Sequence, residues 1–454
     1  MTLKSPPRTA AQWQVLSTTS ISYILVTLDV AIVNIALEPI SRAFSSNITG
    51  LQWVMNAYTL AFACLLLTAG ALGDRLGAKS IYLAGLVIFT LGSALCGLST
   101  GLRGLILARV VQGLGAAMLV PNSLTLLNHA YPDPGERAHA IGIWAGCGGV
   151  ALAAGPLLSG ILIQTLGWRS IFLINLPITL AGIWMTLRMP VSTHASQQRA
   201  LDGLGQVMGI IALGGLVLLL VKGPSIGWGS KIFLIASGLC GLAWIGLLLI
   251  EATRRQPMLP LGLFKNRVFS SALIAAMSMS FCCFGLIFVF SLYFQQVRHD
   301  SALQAGLAFL PMAAVVTISN IVSGRWVKAH GPKNPVVLGL FCLIIAALGL
   351  MPSSAISPYW LTGIFLFMLG LGGGLVTPAA TAALMSEVDK TQAGIAAGVL
   401  NAARQTGMAL GIAVFGSLLA AFYPFEAGLQ AILWVAAILP LISALVWWWA
   451  VFRR

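Results

Sequence analysis

Residues 13–37 read WQVLSTTSISYILVTLDVAIVNIAL and carry a single charge, at Asp29. A helix of about 20 apolar residues spans roughly 30 Å of hydrocarbon, so this run is long enough to cross a bilayer. Thirteen further runs of similar character follow it, the last near residues 427–451. Backbone polar groups in lipid must be satisfied within their own segment, and we therefore predict an all-α membrane protein with 14 transmembrane helices.

The composition of the whole chain agrees with this prediction. Of 454 residues, 58% are hydrophobic and 8% are charged. Soluble domains carry about 25% charged residues, so a soluble enzyme and a disordered protein are both excluded. The seven cysteines lie in apolar runs without metal-ligand spacing, and no glycine-rich segment has the pattern of a nucleotide-binding loop. We expect no metal, no cofactor and no direct use of ATP.

The excess of basic residues follows the predicted topology. Lysine and arginine total 25 against 11 acidic residues, a net charge of +14. When loops are assigned alternately to the two sides, 17 basic residues share the side of both termini and 6 lie opposite; Arg109 and Arg404 fall within helices. The positive-inside rule then predicts cytoplasmic termini in a multi-pass protein of the bacterial inner membrane. A nucleic-acid partner is not needed to explain the charge.

Two polar connections, residues 189–202 and 252–267, divide the chain. We predict a six-helix bundle over residues 1–190, a linker with an inserted helix pair over 191–266, and a second six-helix bundle over 267–454. The loop after the second helix reads GALGDRLGAK at 70–79 in the first bundle and SGRWVKAHGPK at 323–333 in the second. This recurrence indicates an internal repeat, and parallel six-helix repeats are typical of secondary transporters.

Six short motifs carry a family resemblance. They are LDVAIVNIAL (28–37), GALGDRLGAK (70–79), RVVQGLG (109–115), ALAAGPLLSG (151–160), WRSIFLINLP (168–177) and NAARQ (401–405). In this order they resemble the motifs of the major facilitator superfamily, specifically of its fourteen-helix drug/proton antiporter branch. The departures are Glu38 for a proline, Ala78 for a basic residue, and Ala151 and Ser159 for glycines.

The resemblance implies a function and several residue roles. It implies a proton-coupled antiporter that exports lipophilic, cationic drugs or antiseptics by alternating access, and not an enzyme. It also implies that Arg109 takes part in proton transfer and that Gly155, Pro156 and Gly160 form an antiporter motif in which the helix bends and packs closely. The expected partners are a small-molecule substrate, protons and the lipid bilayer, and the expected state is a monomer.

Charged residues inside the apolar runs are the candidates for proton coupling. A carboxylate at the centre of a membrane helix costs about 2.5–3.5 kcal/mol, so Asp29 is predicted to be a proton carrier or a cation partner. A structural carboxylate bonded to a neighbouring helix is the alternative. Arg109 requires a counter-charge, for which Asp29 is one possibility, or else a clamp of carbonyl groups. Glu38 lies roughly 180° around the helix from Asp29, so the two cannot form a dyad, and a solvated carboxylate at the cavity mouth is equally consistent with its position.

The remaining polar and aromatic residues predict a gate and a cavity. The loop with Gly70, Asp74, Arg75, Gly77 and Lys79 is predicted to hold a closed cytoplasmic gate; the alternative is a charge that only sets topology. Candidates for a substrate cavity, each of which could instead serve packing, are Asn34, Asn56, Tyr58, Gln112, Asn122, Phe281, Phe284, Phe288, Asn401, Arg404 and Gln405. Two other functions stay open, namely an exporter or uniporter of a polar metabolite and a non-transporting membrane sensor or scaffold.

Overall fold

The computed structural model describes residues 9–189, 203–254, 261–354, 356–389 and 392–452. Its α-helices are α1 (Ala10–Phe44), α2 (Ile48–Leu76), α3 (Ala78–Gly97), α4 (Leu102–Ala130), α5 (Pro134–Leu166), α6 (Ser170–Leu173), α7 (Asn175–Arg188), α8 (Gly203–Ile226), α9 (Lys231–Thr253), α10 (Arg267–Leu292), α11 (Ala302–Ala308), α12 (Leu310–His330), α13 (Lys333–Gly349), α14 (Tyr359–Met385), α15 (Ala393–Ala421) and α16 (Phe425–Phe452). A 3-10 turn, Leu261–Lys265, precedes α10, and a π-helical turn, Tyr293–Val297, follows it.

Some residues used above lie outside these ranges. They include most of the first predicted linker (190–202), part of the second (255–260), and several basic residues of the orientation argument, namely Lys4, Arg8, Arg199, Arg255, Lys390, Arg453 and Arg454.

Most of the helices have the length and apolarity of membrane spans. Twelve such spans occur in the described ranges when α6 and α7 are joined as Ser170–Arg188, and α11 and α12 as Ala302–His330. The apolar helix α13 has 17 residues, and α15, which contains Arg404, is not among the twelve. The prediction of an all-helical membrane fold is confirmed.

Local polar residues fix where several helices begin. Thr9 and Ser301 form capping boxes with Gln12 and Gln304, so that backbone N–H groups at the starts of α1 and α11 are satisfied. The carboxylate of Asp133 accepts a hydrogen bond from the Glu136 N–H at the start of α5. Because such helix ends cannot be satisfied by lipid, these caps lie in the short connections between spans.

The two halves of the chain meet at the end that carries residues 45–47 and 298–301, which we call the closed end. There the Gln295 amide donates to the Ile35 carbonyl at 3.1 Å, and the Gln296 amide donates to the Glu38 carboxylate at 2.5 Å. On another side of the same end, the Gln52 amide donates to the Ala413 carbonyl at 2.8 Å. These bonds join α1 to the π-helical turn after α10, and α2 to α15.

Along one face of α5 the two halves are in contact near the closed end and lie apart towards the other end. A Cβ atom built at Gly160 would lie 2.8 Å from the Leu303 Cα on α11, so backbone approaches backbone there. Gly142, Gly146 and Gly149 lie on the same face nearer the other end, and a Cβ at any of them would meet nothing within 4 Å. We call that other end the open end.

The helix pair α8–α9 lies outside the two halves and contacts both. At the open end, the Gln206 amide on α8 donates to the Cys64 carbonyl on α2 at 2.7 Å. Towards the closed end, the Ser417 hydroxyl on α15 donates to the Leu220 carbonyl on α8. An apolar cluster also joins α8 to α15: Val217, Val221, Ala409 and Ala413. Helix α8 therefore runs along the seam where α2 packs against α15.

Candidate functional site

A buried ion pair lies in the first half of the chain. The Arg109 guanidinium on α4 donates through Nη1 to the Asp29 carboxylate on α1 at 2.5 Å, and both side chains are fully buried. Arg109 also donates through Nε to the Val54 carbonyl of α2 at 3.2 Å. Each charge of the pair neutralises the other, which removes most of the cost that either would carry alone in the membrane. Of the counter-charges considered from the sequence, Asp29 is the one that Arg109 contacts.

Side-chain amides complete the shell around Asp29. Gln112, one turn after Arg109, donates to Asp29 Oδ1 at 2.7 Å and to the Ser93 hydroxyl at 2.9 Å. Its own amide oxygen accepts a bond of 2.6 Å from Arg109 Nη1. Asn175, the first residue of α7, donates to Asp29 Oδ1 at 3.2 Å. The shell thus ties α1 to α3, α4 and α7, so a change of charge at Asp29 reaches four helices.

Two aromatic rings flank the guanidinium. The Arg109 Cζ atom lies 4.2 Å from the centroid of Tyr58 and 5.9 Å from that of Phe172. A guanidinium over a ring face gains electrostatic attraction, and the gain is larger where water is excluded. Tyr58 and Gln112, which the sequence predicted to line a substrate cavity, both contact this ion pair.

The ion pair has partners that the sequence analysis did not single out. Ser93, Asn175 and Phe172 are single residues of ordinary types within apolar segments. The one signal that pointed to Asn175 is its place in the motif at 168–177. Which helix each of these residues faces is decided by packing between helices.

The predicted antiporter motif is a close contact between α1 and α5. A Cβ atom at Gly155 would lie 2.3 Å from the Ala31 Cβ, so α1 and α5 need glycine here to approach as they do. The Ser159 hydroxyl is fully buried and donates to the Ile32 carbonyl at 2.7 Å. Serine at a position where the family pattern has glycine therefore supplies a bond between the same two helices.

A small apolar cavity lies between the halves near the closed end. Two of the predicted cavity residues, Asn34 and Phe284, are among its lining side chains, which are completed by Ala31, Leu152, Ala153, Pro156, Ile287, Phe309, Met312, Ala313 and Val316. The other two predicted cavity residues of α10, Phe281 and Phe288, do not line it. Phe281 packs edge-on against Phe415 with 5.1 Å between centroids, and Phe288 is fully buried in the core.

The partly exposed polar side chains of α14 and α15 form a wall that we call the arginine wall: Thr377, Thr381, Asn401, Arg404 and Gln405. Arg404 donates through Nη2 to the Thr377 carbonyl at 2.9 Å and to the Thr381 hydroxyl at 2.7 Å. Its Nε and the Gln405 amide oxygen are buried without a hydrogen-bond partner among the described residues. The sequence placed Asn401, Arg404 and Gln405 together, and the structure keeps them on one partly open surface.

Two other predicted cavity residues are buried in the first half of the chain. The Asn122 amide donates to the Met118 carbonyl at 2.8 Å and to the Ala69 carbonyl at 3.1 Å. It packs against Gly73, where any Cβ would collide with it, so Asn122 fixes α4 on the last turns of α2. Neither side-chain polar atom of Asn56, which is fully buried, has a partner within the described ranges.

The predicted gate loop forms the tight connection between α2 and α3 at the open end. Gly77 adopts a φ of 92°, a conformation that favours glycine. Lys79 then reaches the carboxyl end of α7, where its ammonium donates to the Met189 carbonyl at 2.6 Å. A cation at the carboxyl end of a helix is stabilised by the helix dipole, so this contact holds α3 to α7. Gly70 packs towards Pro121 on α4, and Arg75 is exposed.

Glu38 lies at the closed end, away from the buried ion pair. Its carboxylate pairs with Arg42 at 2.8 Å and accepts the bond from Gln296 on the other half. The residue is 8% exposed, so it is closer to a buried bridging carboxylate than to a solvated one.

Comparisons with known proteins also indicate a membrane transporter. Residues 19–412 match the family profile described as Major Facilitator Superfamily. The chain is 36% identical over 436 residues to the "Methylenomycin A resistance protein" of Bacillus subtilis, covering 95% of this chain and 93% of that protein. It is 34% identical to the "Tetracenomycin C resistance and export protein" of Streptomyces glaucescens, covering 90% and 76%.

A solved structure shares the fold. It is described as a bacterial homologue of the human lysosomal transporter Spinster, in an inward-facing and unoccupied conformation. The TM-score is 0.67 at 17% identity, and the match covers 98% of both chains.

Proposed function

The chain belongs to the major facilitator superfamily, and from this premise we propose that it exports lipophilic compounds, drugs among them, across the inner membrane in exchange for protons. Its relatives are drug-resistance and efflux proteins of the same superfamily, which supports a drug exporter. The observation that carries the proton-coupled part is the buried pair of Asp29 and Arg109.

The geometry suggests how a proton would act. A proton on Asp29 removes the negative charge from the pair, while Arg109 keeps its charge and its bonds to Gln112 and the Val54 carbonyl. The attraction that holds α1 against α4 is thereby weakened. Six residues further along α1, roughly 9 Å, the Ile35 carbonyl accepts a hydrogen bond from Gln295, in the π-helical turn after α10 at the closed end. Protonation and opening of the closed end would thus act through one helix.

The topology belongs to the same proposal. We place fourteen spans in a 6+2+6 order, with bundles at 1–190 and 267–454 and a linker with the helix pair at 191–266. Both termini face the cytoplasm, so the closed end faces outwards and the open end receives substrate from the cytoplasm. In this arrangement the loop from Gly70 to Lys79 serves the cytoplasmic gate, and Gly155, Pro156 and Gly160 let α5 pack and bend during the exchange of access. The transporter acts as a monomer.

The charge of the substrate is a separate question. The expectation of a cationic substrate came from the family resemblance. The carboxylate of Asp29 inside the first half and that of Glu38 at the contact between the halves are both paired with arginine. Neither carboxylate is therefore free to bind a cationic substrate.

Transport by everted membrane vesicles tests proton coupling. The probes are a panel of lipophilic dyes, amines, acids and polar metabolites, each with and without a proton gradient. Asp29→Asn keeps the size and hydrogen-bonding capacity of the side chain but cannot release a proton, so we expect gradient-driven efflux to be lost at normal expression. Asp300→Asn is the matched control, because Asp300 pairs with Arg298 in a connection at the closed end.

Each result of the vesicle experiment has a defined meaning. Efflux by Asp29→Asn equal to that of the wild type would contradict the role of Asp29. Efflux of the wild type that ignores the gradient would contradict proton coupling. If no compound moves at all, the protein is a sensor or scaffold and the export proposal fails.

A further inference from the structure

We infer that the arginine wall is the substrate site and that it takes an anionic group, such as a carboxylate, carried on a flat apolar body. This inference rests on the proposed export function and specifies its substrate class. It assigns Arg404 the role of charge partner for the transported compound.

The two arginines within the helices, Arg109 and Arg404, differ in whether an acidic residue pairs with them. Arg109 is neutralised by Asp29, and both are fully buried. Arg404 has only neutral partners among the described residues, the Thr377 carbonyl and the Thr381 hydroxyl. An intramembrane guanidinium is costly, and such groups normally pair with an anion, a carbonyl cluster or cavity water. Within the part of the chain that the structure describes, no acidic group therefore balances the charge of Arg404.

Arg404 lies deep in the membrane. Arg404 lies eleven residues into α15, roughly 17 Å from the start of the helix, and so near the middle of the membrane. It is nevertheless partly exposed, as are Asn401 and Gln405 beside it. A charged side chain that is accessible at this depth borders a space between helices.

An aromatic pair lies on the other half of the chain. Tyr23 on α1 is partly exposed and stacks on Trp144 of α5, with 3.8 Å between ring centroids and 19° between planes. Tyr23 lies thirteen residues into α1, roughly 20 Å from the start of that helix at the open end, and so at about the depth that Arg404 has in the other half. An aromatic wall opposite a guanidinium suits a flat apolar body that ends in an acid.

Arg404 still has a hydrogen-bond donor to offer a ligand. Arg404 Nε is buried without a partner among the described residues, and a guanidinium is only a donor. Its planar fork matches a carboxylate, which can accept two parallel bonds. Among the described residues no carboxylate contacts the arginine wall, so no acidic group there would attract a cation; the unpartnered amide oxygen of Gln405 is an uncharged acceptor. The site therefore selects by charge in favour of anions.

Ligand binding to the purified full-length protein in detergent tests this inference without any proton gradient. The probes are 1-naphthoate and 1-naphthylmethylammonium, which share a ring system and differ in charge. We expect the wild type to bind the carboxylate about tenfold more tightly than the ammonium. Arg404→Gln should weaken carboxylate binding by about tenfold to a hundredfold, the range expected for one lost charge-assisted pair, and leave the ammonium within about twofold.

Two further variants separate a binding role from a structural one. Arg404→Lys keeps the charge and should recover part of the carboxylate affinity. Arg169→Gln removes a cation that bonds to the Ser99 carbonyl at the closed end, away from the arginine wall, and should change neither probe. If Arg404→Gln does not remain monodisperse, the charge preference of the wild type and the effect of Arg404→Lys decide the matter.

Several outcomes would overturn the inference. They are equal binding of both probes, tighter binding of the ammonium, or an Arg404→Gln variant that keeps full affinity for the carboxylate. Displacement of naphthoate by phosphatidylglycerol in nanodiscs would assign the site to a lipid headgroup and overturn the substrate assignment. Because binding is measured without transport, loss of proton-driven efflux leaves this result intact, and the two proposals fail independently.

Discussion

The buried pair of Asp29 and Arg109 makes a quantitative prediction about stability. Asp29→Leu removes the carboxylate and its hydrogen bonds, and leaves the Arg109 charge buried without a counter-charge. Two unit charges about 4 Å apart attract by about 4 kcal/mol at an effective dielectric of about 20. Removing one partner of a buried pair costs about 3–5 kcal/mol in practice, and we expect Asp29→Leu to lose stability in this range.

A double variant that removes both charges isolates the interaction between them. Arg109→Met combined with Asp29→Leu removes both charges and replaces them with apolar side chains, so most of the lost stability should return. The assay is reversible unfolding in mixed detergent micelles, with the two single variants and the double variant forming a cycle. We expect a coupling free energy above about 2 kcal/mol, within the range for residues in one buried network.

The conservative variant separates stability from proton chemistry. Asp29→Asn can still bond to Arg109 and to the amide of Gln112, and it resembles the protonated carboxyl. Its loss of stability should be well below that of Asp29→Leu, even though its gradient-driven efflux is abolished. A coupling free energy within about 0.5 kcal/mol of zero, the usual error for independent sites, would refute the ion-pair argument.

Two further predictions concern the contacts of α5. Gly155→Ala should lower thermal stability and transport, because the added methyl group would lie 2.3 Å from the Ala31 Cβ; Gly149→Ala is the matched control, since nothing lies within 4 Å there, and equal effects of the two would contradict the packing argument. Gly160→Ala should likewise lower export, because the added methyl group would lie 2.8 Å from the Leu303 Cα and would disfavour the contact between the halves at the closed end; Gly142→Ala is its control, and equal export by the two variants would contradict a role of this contact.

The sequence predicted the charged centre of the site better than its surroundings. Asp29, Arg109 and Gln112 stand out because a polar residue in a long apolar run needs a partner. Ser93 and Asn175 contact the same centre, yet small polar residues are frequent in membrane helices and give no such signal. Their place depends on which helices pack together, and one sequence does not specify that.

The positions of the cavity candidates in the structure were harder to predict, because the sequence does not mark which face of an apolar helix is buried. A helix that is apolar all around has no periodic contrast between a buried and an exposed face, so residue faces in α1, α2 and α10 are not marked. Asn34 and Phe284 line the apolar cavity, whereas Tyr58 flanks Arg109 and Phe288 lies in the core. In α15 the polar residues cluster on neighbouring positions, and there the predicted group, Asn401, Arg404 and Gln405, stays together.

Helix α8 makes the two long seams between the halves unequal with respect to the surrounding lipid. It lies over the seam of α2 and α15, bonded to Cys64 near one end and to Ser417 near the other. On the opposite seam the open-end face of α5 is bare at Gly142, Gly146 and Gly149. The α2–α15 seam is therefore separated from the surrounding lipid by α8, whereas the described residues leave the open-end part of the opposite seam uncovered, so a lipophilic compound in the bilayer would meet two unlike surfaces.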